Sequence, residues 1–185
     1  MSTDPITIAA FAGSLRKGSY NRMLLNAAIE LAPSDVRIER IDIDDLPLFN
    51  GDLESDDDPL PPVKRLWDGI RAARALLIVS PEYNYSIPAV TKNAIDWASR
   101  SDVLDEKVAA IMGASSGMFG TVRMQMAIRQ AGLGAGLAFI IDPQIMVTRA
   151  AEKFDVEGRL TDDRTRAQIP KLLAALADAA RRTAS

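Results

Sequence analysis

Residues 13–21 read Gly-Ser-Leu-Arg-Lys-Gly-Ser-Tyr-Asn, a short segment that is small, hydroxyl-rich and cationic. Apolar residues at Leu24, Leu25, Ala28 and Leu31 follow at helical spacing. A helix starting here would turn its free N–H groups and partial positive charge toward an anion. Ser14, Ser19 and Asn21 add neutral donors, and Arg16 adds a charged one. A charge-assisted hydrogen bond contributes roughly 1.5–3 kcal/mol. An exposed helix end contributes only about 0.3–1 kcal/mol, so the side chains should dominate. The chemistry implied is phosphate binding. Two common phosphate motifs fail here: Ser19 stands where a Walker loop needs lysine, and Leu15 stands where G-x-G-x-x-G needs its second glycine. The plainer alternative is a helix capped by Ser19, with Arg16 and Lys17 in water.

Two further segments carry ligand-binding chemistry. Residues 81–88 read Pro-Glu-Tyr-Asn-Tyr-Ser-Ile-Pro. Tyrosine offers a flat apolar face with a polar tip, and two prolines restrict the backbone toward a preformed shape. This composition suits a planar, hydrogen-bonding ligand; a single tyrosine in isolation would more simply be a packing residue. Residues 113–121 read Gly-Ala-Ser-Ser-Gly-Met-Phe-Gly-Thr. Such small residues allow a backbone to approach a ligand and donate N–H groups, or they form a plain flexible connection.

The elements that must position these segments are legible in the apolar pattern. Largely apolar runs at 6–12, 75–79, 107–112 and 137–141 predict strands covered on both faces, and 145–147 offers a resumption of the last. Residues 36–43 mostly alternate, with a phase slip at Glu39–Arg40, and predict a more exposed strand. Helical spacing predicts helices over 21–31, 63–73, 88–98, 121–131 and 165–182. Pro88 suits a first helical turn, and Arg181 and Arg182 complement the dipole of the last helix. Trp67 and Trp97 fall on amphipathic helices and read as core or interface residues. Strands alternating with helices imply an α/β fold with one parallel sheet and right-handed crossovers. Strand order 2-1-3-4-5 is among the commonest for five strands, and ligands then sit beyond the strands' carboxyl ends. The three segments follow strands one, three and four, so the sheet should converge them on one crevice. A single domain over residues 1–185 is expected.

Composition narrows the chemistry further. The chain has no cysteine and no histidine, which excludes thiolate nucleophiles, disulfides, histidine-based triads and histidine-ligated zinc. A bound organic cofactor is then the simplest source of reactivity. A net charge of −3 gives no sign of a nucleic-acid surface. The acidic stretch at 52–58 reads as a solvated connection. The short acidic N-terminus lacks signal-peptide features, and no apolar run is long enough to span a bilayer. A cytoplasmic protein with no membrane or nucleic-acid partner is expected.

The combination of S-x-R-x-x-S-x-N at 14–21, Pro-Glu-Tyr-Asn-Tyr-Ser at 81–86 and Lys-Asn-Ala-Ile-Asp-Trp at 92–97 resembles the NADPH-dependent FMN reductase family. This flavodoxin-like group includes quinone, chromate and azo reductases. The resemblance implies a three-layer sandwich around a five-stranded parallel sheet. It implies non-covalently bound FMN, with NADPH or NADH as electron donor and a quinone, chromate, azo compound or free flavin as acceptor. Ser14, Arg16, Ser19 and Asn21 would bind the FMN phosphate, with Tyr20 beside them. Pro81, Glu82, Tyr83 and Asn84 would line the flavin ring, largely through backbone. Ser115, Ser116 and Gly117 would approach its pyrimidine edge, although the family's third loop is often richer in glycine. The flavin would carry the chemistry, so no protein acid or base is required. The resemblance also implies a homodimer or homotetramer, with Tyr85 and residues 92–97 near the interface. Two other functions remain open on the residues: an electron carrier or sensor holding FMN without efficient NAD(P)H oxidation, and a nucleotide hydrolase, which the missing lysine disfavours.

Overall fold

The computed structural model describes residues 5–105 and 107–183; of the N-terminal stretch read above, only Pro5 lies within them. The elements run β1 (Ile6–Ala12), α1 (Tyr20–Glu30), β2 (Val36–Arg40), α2 (Pro61–Arg71), β3 (Ala75–Val79), α3 (Ala89–Ala98), β4 (Val108–Ala114), α4 (Val122–Gly134), β5 (Ala138–Phe139), β6 (Ile145–Val147) and α5 (Asp163–Arg182). Every strand pairing is parallel, and the order is β2-β1-β3-β4-β5.

The apolar strands are buried on both faces because successive side chains point to opposite sides. Ile8, Ala10, Leu77 and Met112 pack with Leu24 and Leu25 of α1 and Leu172, Leu173 and Leu176 of α5. Phe11, Leu76, Ile78 and Ile111 pack with Leu66 and Trp67 of α2, Ile95 and Trp97 of α3, and Met124 and Ile128 of α4. The result is the expected three layers, with α1 and α5 on one face and α2, α3 and α4 on the other.

Two strands differ from the sequence pattern. β2 stops at Arg40, where the alternation slips, but Ile41 and Ile43 still bury and Ile41 N–H still bonds Ala10 O. The fifth strand is split. β5 keeps only Ala138–Phe139, and the chain returns to β4 as β6, pairing Met112 with Ile145 and Ala114 with Val147. Pro143 lies between the two pieces and has no N–H to donate to a ladder. The helices begin and end within three residues of their expected bounds; α2 starts earlier because Pro61 and Pro62 both fit a first helical turn.

Candidate cofactor site

The carboxyl ends of β1, β3 and β4 are drawn together around Ser80. Gly13 N–H bonds Val79 O, and Ser80 N–H bonds Met112 O. The Ser80 and Thr91 hydroxyls bond at 2.9 Å in the core. Neither neighbouring glycine tolerates a side chain. A Cβ on Gly13 would collide with the Thr91 hydroxyl, and one on Gly113 with the Ser80 carbonyl oxygen. Close approach, rather than turn conformation, requires glycine at these two positions.

Beyond this junction lies a cavity of about 350 Å³ lined by Ser14, Arg16, Ser19, Tyr20, Asn21, Pro81, Glu82, Tyr83, Ala114, Ser115 and Ser116. Its size lies within the range usual for small-molecule sites. Three loops far apart in sequence thus meet at one opening. Of the expected residues, Asn84 and Gly117 lie just outside the lining, and Ala114 joins it.

The first loop has the attributes of an anion site. Ser19 caps α1, its hydroxyl oxygen accepting from Asn21 N and Arg22 N at 3.2 and 3.4 Å. The capping alternative is therefore real, and it leaves the Ser19 hydroxyl hydrogen free to donate. Among the described residues, the N–H groups of residues 15–18 have no backbone acceptor. Arg16 stands 5.8 Å from the Tyr20 ring centroid, with no carboxylate partner among the described residues. Tyr20 in turn stacks on Phe154. Arg22, which sequence reading did not single out, fixes the loop: its Nε donates to Ser14 O at 2.9 Å and its guanidinium pairs with Asp44.

Asn21 serves chiefly as a staple. Its Nδ2 donates to Ala114 O at 2.9 Å, and its Oδ1 accepts from Ala114 N at 2.8 Å. This buried pair ties the start of α1 to the end of β4. Only one amide hydrogen remains for a ligand.

The second loop turns tightly at Tyr83–Ser86, whose backbones exchange two hydrogen bonds of 3.1 and 2.9 Å. Asn84 and Tyr85 both have positive φ, 49° and 65°. Asparagine tolerates this region, while for tyrosine it costs about 1–2 kcal/mol. The Tyr83 hydroxyl lies 3.3 Å from Ser14 Oγ, joining the first and second loops. The Glu82 carboxylate turns to α4, accepting from Arg123 N and Met124 N at 3.0 and 3.1 Å and from the Arg123 guanidinium. Its side chain thus caps a helix end from a distant loop, a carboxylate at the favourable pole of the dipole.

The third loop is held by the segment after β6. Ser115 N bonds Val147 O, Ala150 N bonds Ser115 O, and Arg149 N bonds Gly117 O. Gly117 N–H goes to Ser115 Oγ. Ser116 N–H has no backbone acceptor among the described residues and is the best placed to serve a ligand.

The Lys92–Trp97 stretch acts inward. Asn93 and Trp97 are buried and both donate to Pro47 O at 2.8 Å, while Asn93 Oδ1 accepts from Phe49 N. The loop after β2 is thereby anchored on α3. Lys92 and Asp96 form an exposed pair one turn apart. Trp67 donates to Trp97 O and is core, as the amphipathic pattern indicates.

Among the described residues, no cluster of acidic side chains is arranged to hold a metal ion, and no helix is long and apolar enough to cross a membrane.

A family model described as NADPH-dependent FMN reductase matches residues 6–152. The chain is 46% identical over 176 residues to an NAD(P)H-dependent FMN reductase of Pseudomonas aeruginosa, covering 94% of this chain and 95% of that protein. It is 44% identical over 183 residues to an NAD(P)H:quinone oxidoreductase of Solanum tuberosum, covering 95% and 94%. Among solved structures, the flavoenzyme NAD(P)H:(acceptor) oxidoreductase FerB of Paracoccus denitrificans superposes with a TM-score of 0.85 at 33% identity, covering 96% and 98%. An archaeal flavodoxin, at 13% identity and a TM-score of 0.61 over 95% of this chain and 99% of its own, shares the fold.

Proposed function

The chain belongs to the NADPH-dependent FMN reductase family, and from that premise we propose how its own residues serve an NAD(P)H-dependent FMN-containing oxidoreductase that reduces quinones or similar electrophilic acceptors. The observation that carries this reading is the convergence of Arg16, without a carboxylate partner among the described residues, a helix N-terminus and an aromatic turn on one cavity. Its donor set suits a phosphate at one end, and Tyr83 with the turn at residues 115–117 suits a flat heterocycle at the other. When bound, FMN supplies the hydride-accepting and electron-donating chemistry that links NAD(P)H to the acceptor.

The protein's part is binding and electrostatics. Arg16, Ser14, Ser19 and the free N–H groups of residues 15–18 hold the phosphate, with Tyr20 walling that end. Asn21 contributes mainly by positioning Ala114 and the third loop. Pro81, Glu82, Tyr83 and Asn84 present the second loop to the ring; the Glu82 carboxylate faces α4, leaving the backbone for contact. Ser116 N–H, with Ser115 and Gly117 shaping its turn, would be available to a bound flavin as a donor to negative charge, a preorganised arrangement of the oxyanion-hole kind.

Residues 1–185 are read as one FMN-binding domain, supported by a single sheet shared between both packed layers. A second copy of the chain is the expected partner. Val122, Met126 and Leu133 form an exposed apolar stripe on α4. An apolar stripe of this kind favours burial against another protein surface. A cytoplasmic location is consistent with NAD(P)H as reductant.

The deciding experiment is the visible spectrum of the purified protein before and after anaerobic NADPH addition, with the released cofactor identified. A flavin spectrum that releases FMN and bleaches promptly is expected. A protein that binds no added FMN refutes the reading, and FMN bound without bleaching favours an electron carrier.

A further inference from the structure

At the rim of the cavity, one group of side chains joins the second loop to the third. The Arg123 guanidinium lies 3.9 Å from the Tyr85 ring centroid and 5.4 Å from that of Phe119. It therefore stands between two rings that are 72% and 68% exposed, one from each loop. Arg123 does not reach them unaided. Its Nε and Nη2 both meet Glu82 Oε1, at 2.6 and 2.5 Å, and its own N–H bonds Glu82 Oε2 at 3.0 Å. The Glu82 side chain is only 5% exposed and also accepts from Met124 N. Such a fork is rigid, because a planar guanidinium gripped at two nitrogens cannot swing. At its far end Tyr85 sits in a left-handed conformation that a tyrosine rarely adopts without support. The turn that contains Tyr85 also contains Tyr83, which lines the cavity.

We propose that Glu82, Arg123 and Tyr85 form one positioning unit that holds the second and third loops at a fixed separation and so sets the lip across which an electron acceptor reaches the cavity. The physical chain is continuous. The α4 N-terminus fixes Glu82, Glu82 fixes Arg123, and Arg123 fixes the ring of Tyr85 by a cation–π contact. The role at the lip rests on the oxidoreductase reading above; the mechanical coupling between the loops does not.

Two measurements test it. The first uses cofactor-free protein and hydrogen exchange read by mass spectrometry over residues 82–88 and 118–125. Arg123→Ala and Glu82→Gln are each expected to speed exchange in the 82–88 segment about tenfold or more, the mark of lost local protection. Tyr85→Phe keeps the ring and is expected to exchange as the wild type. Should Glu82→Gln fail to fold, Arg123→Ala and Arg123→Lys decide alone, since lysine cannot reproduce the fork. An 82–88 segment indifferent to Arg123→Ala overturns the coupling. The second measurement uses FMN-loaded protein with 1,4-benzoquinone as acceptor. Arg123→Ala is expected to raise the quinone KM about tenfold, as small displacements at a site can, while the FMN dissociation constant moves less than about twofold. An unchanged KM, or a KM that rises together with the FMN dissociation constant, overturns the lip assignment. A wild-type protein that binds no FMN refutes the oxidoreductase reading instead, and the exchange data still decide the coupling.

Discussion

Arg16 differs from Arg22 only six residues away. Arg22 is engaged by Ser14 O and Asp44, whereas Arg16 has a tyrosine face and no carboxylate among the described residues. An arginine left without a counter-charge at a helix N-terminus is available to an anion. Arg16→Ala should therefore raise the FMN dissociation constant roughly 10- to 100-fold, the equivalent of one charge-assisted hydrogen bond. Quenching of flavin fluorescence on titration measures this, and kcat at saturating FMN should change little. Asn21 calls for a different outcome. Asn21→Ala leaves both the N–H and the C=O of Ala114 buried without partners, at about 1–3 kcal/mol each. Urea unfolding should show a loss of roughly 2–4 kcal/mol, in contrast to Arg16→Ala, which touches no folded-state partner of this kind. The phosphate-like spacing of the first loop made both residues visible, but only Arg16 keeps the free donors that spacing implied.

At the scale of elements, α5 shows how a helix start is secured. Asp162 caps it, accepting from Thr165 N at 3.0 Å and from the Thr165 hydroxyl at 2.7 Å, and Lys153 Nζ reaches the other oxygen at 2.7 Å. The Lys153 hydrogen bond first, and those from Thr165 next, hold its pKa down from 3.8 to about 2. A carboxylate with a depressed pKa stabilises the fold above its unfolded value, and the contribution is lost as pH falls from about 4 through about 2. Asp162→Asn keeps an oxygen at the cap but loses the charge-assisted bond from Lys153, and should cost about 1 kcal/mol at neutral pH, the value of such a bond reduced for partial exposure. Denaturation curves at pH 7 and below pH 2 should show the gap between variant and wild type closing in acid. Asp162 and Asp163 stand together at this helix start, a local acidic pair; the lysine that completes the cap is nine residues upstream on the preceding loop, beyond any local signal.

At the scale of the whole molecule, an apolar stripe remains on α4 after both core layers are filled. Were it covered by a second copy, Met126→Asp combined with Leu133→Asp would place four buried charges across a symmetric contact, where desolvation is costly. Sedimentation should then shift from oligomer to monomer while the flavin spectrum persists; an unchanged oligomer would move the interface elsewhere. The layers followed from patterns within each segment, since a strand covered on both faces must be apolar throughout; the strand order was expected as one of the commonest for such a sheet and was not encoded in any single segment. The three loops that line the cavity were legible for the same reason, as their composition is local and a parallel sheet delivers its carboxyl ends to one edge. What the sequence by itself determined is therefore the α/β architecture, the absence of thiol and imidazole side chains, and the loops that line the cavity. Only the tertiary structure decided which side chains face the cavity and which hold it open. Asn21 meets Ala114 across 93 residues and Glu82 meets Arg123 across 41. A contact at that separation depends on how the layers pack, which no spacing within either segment encodes.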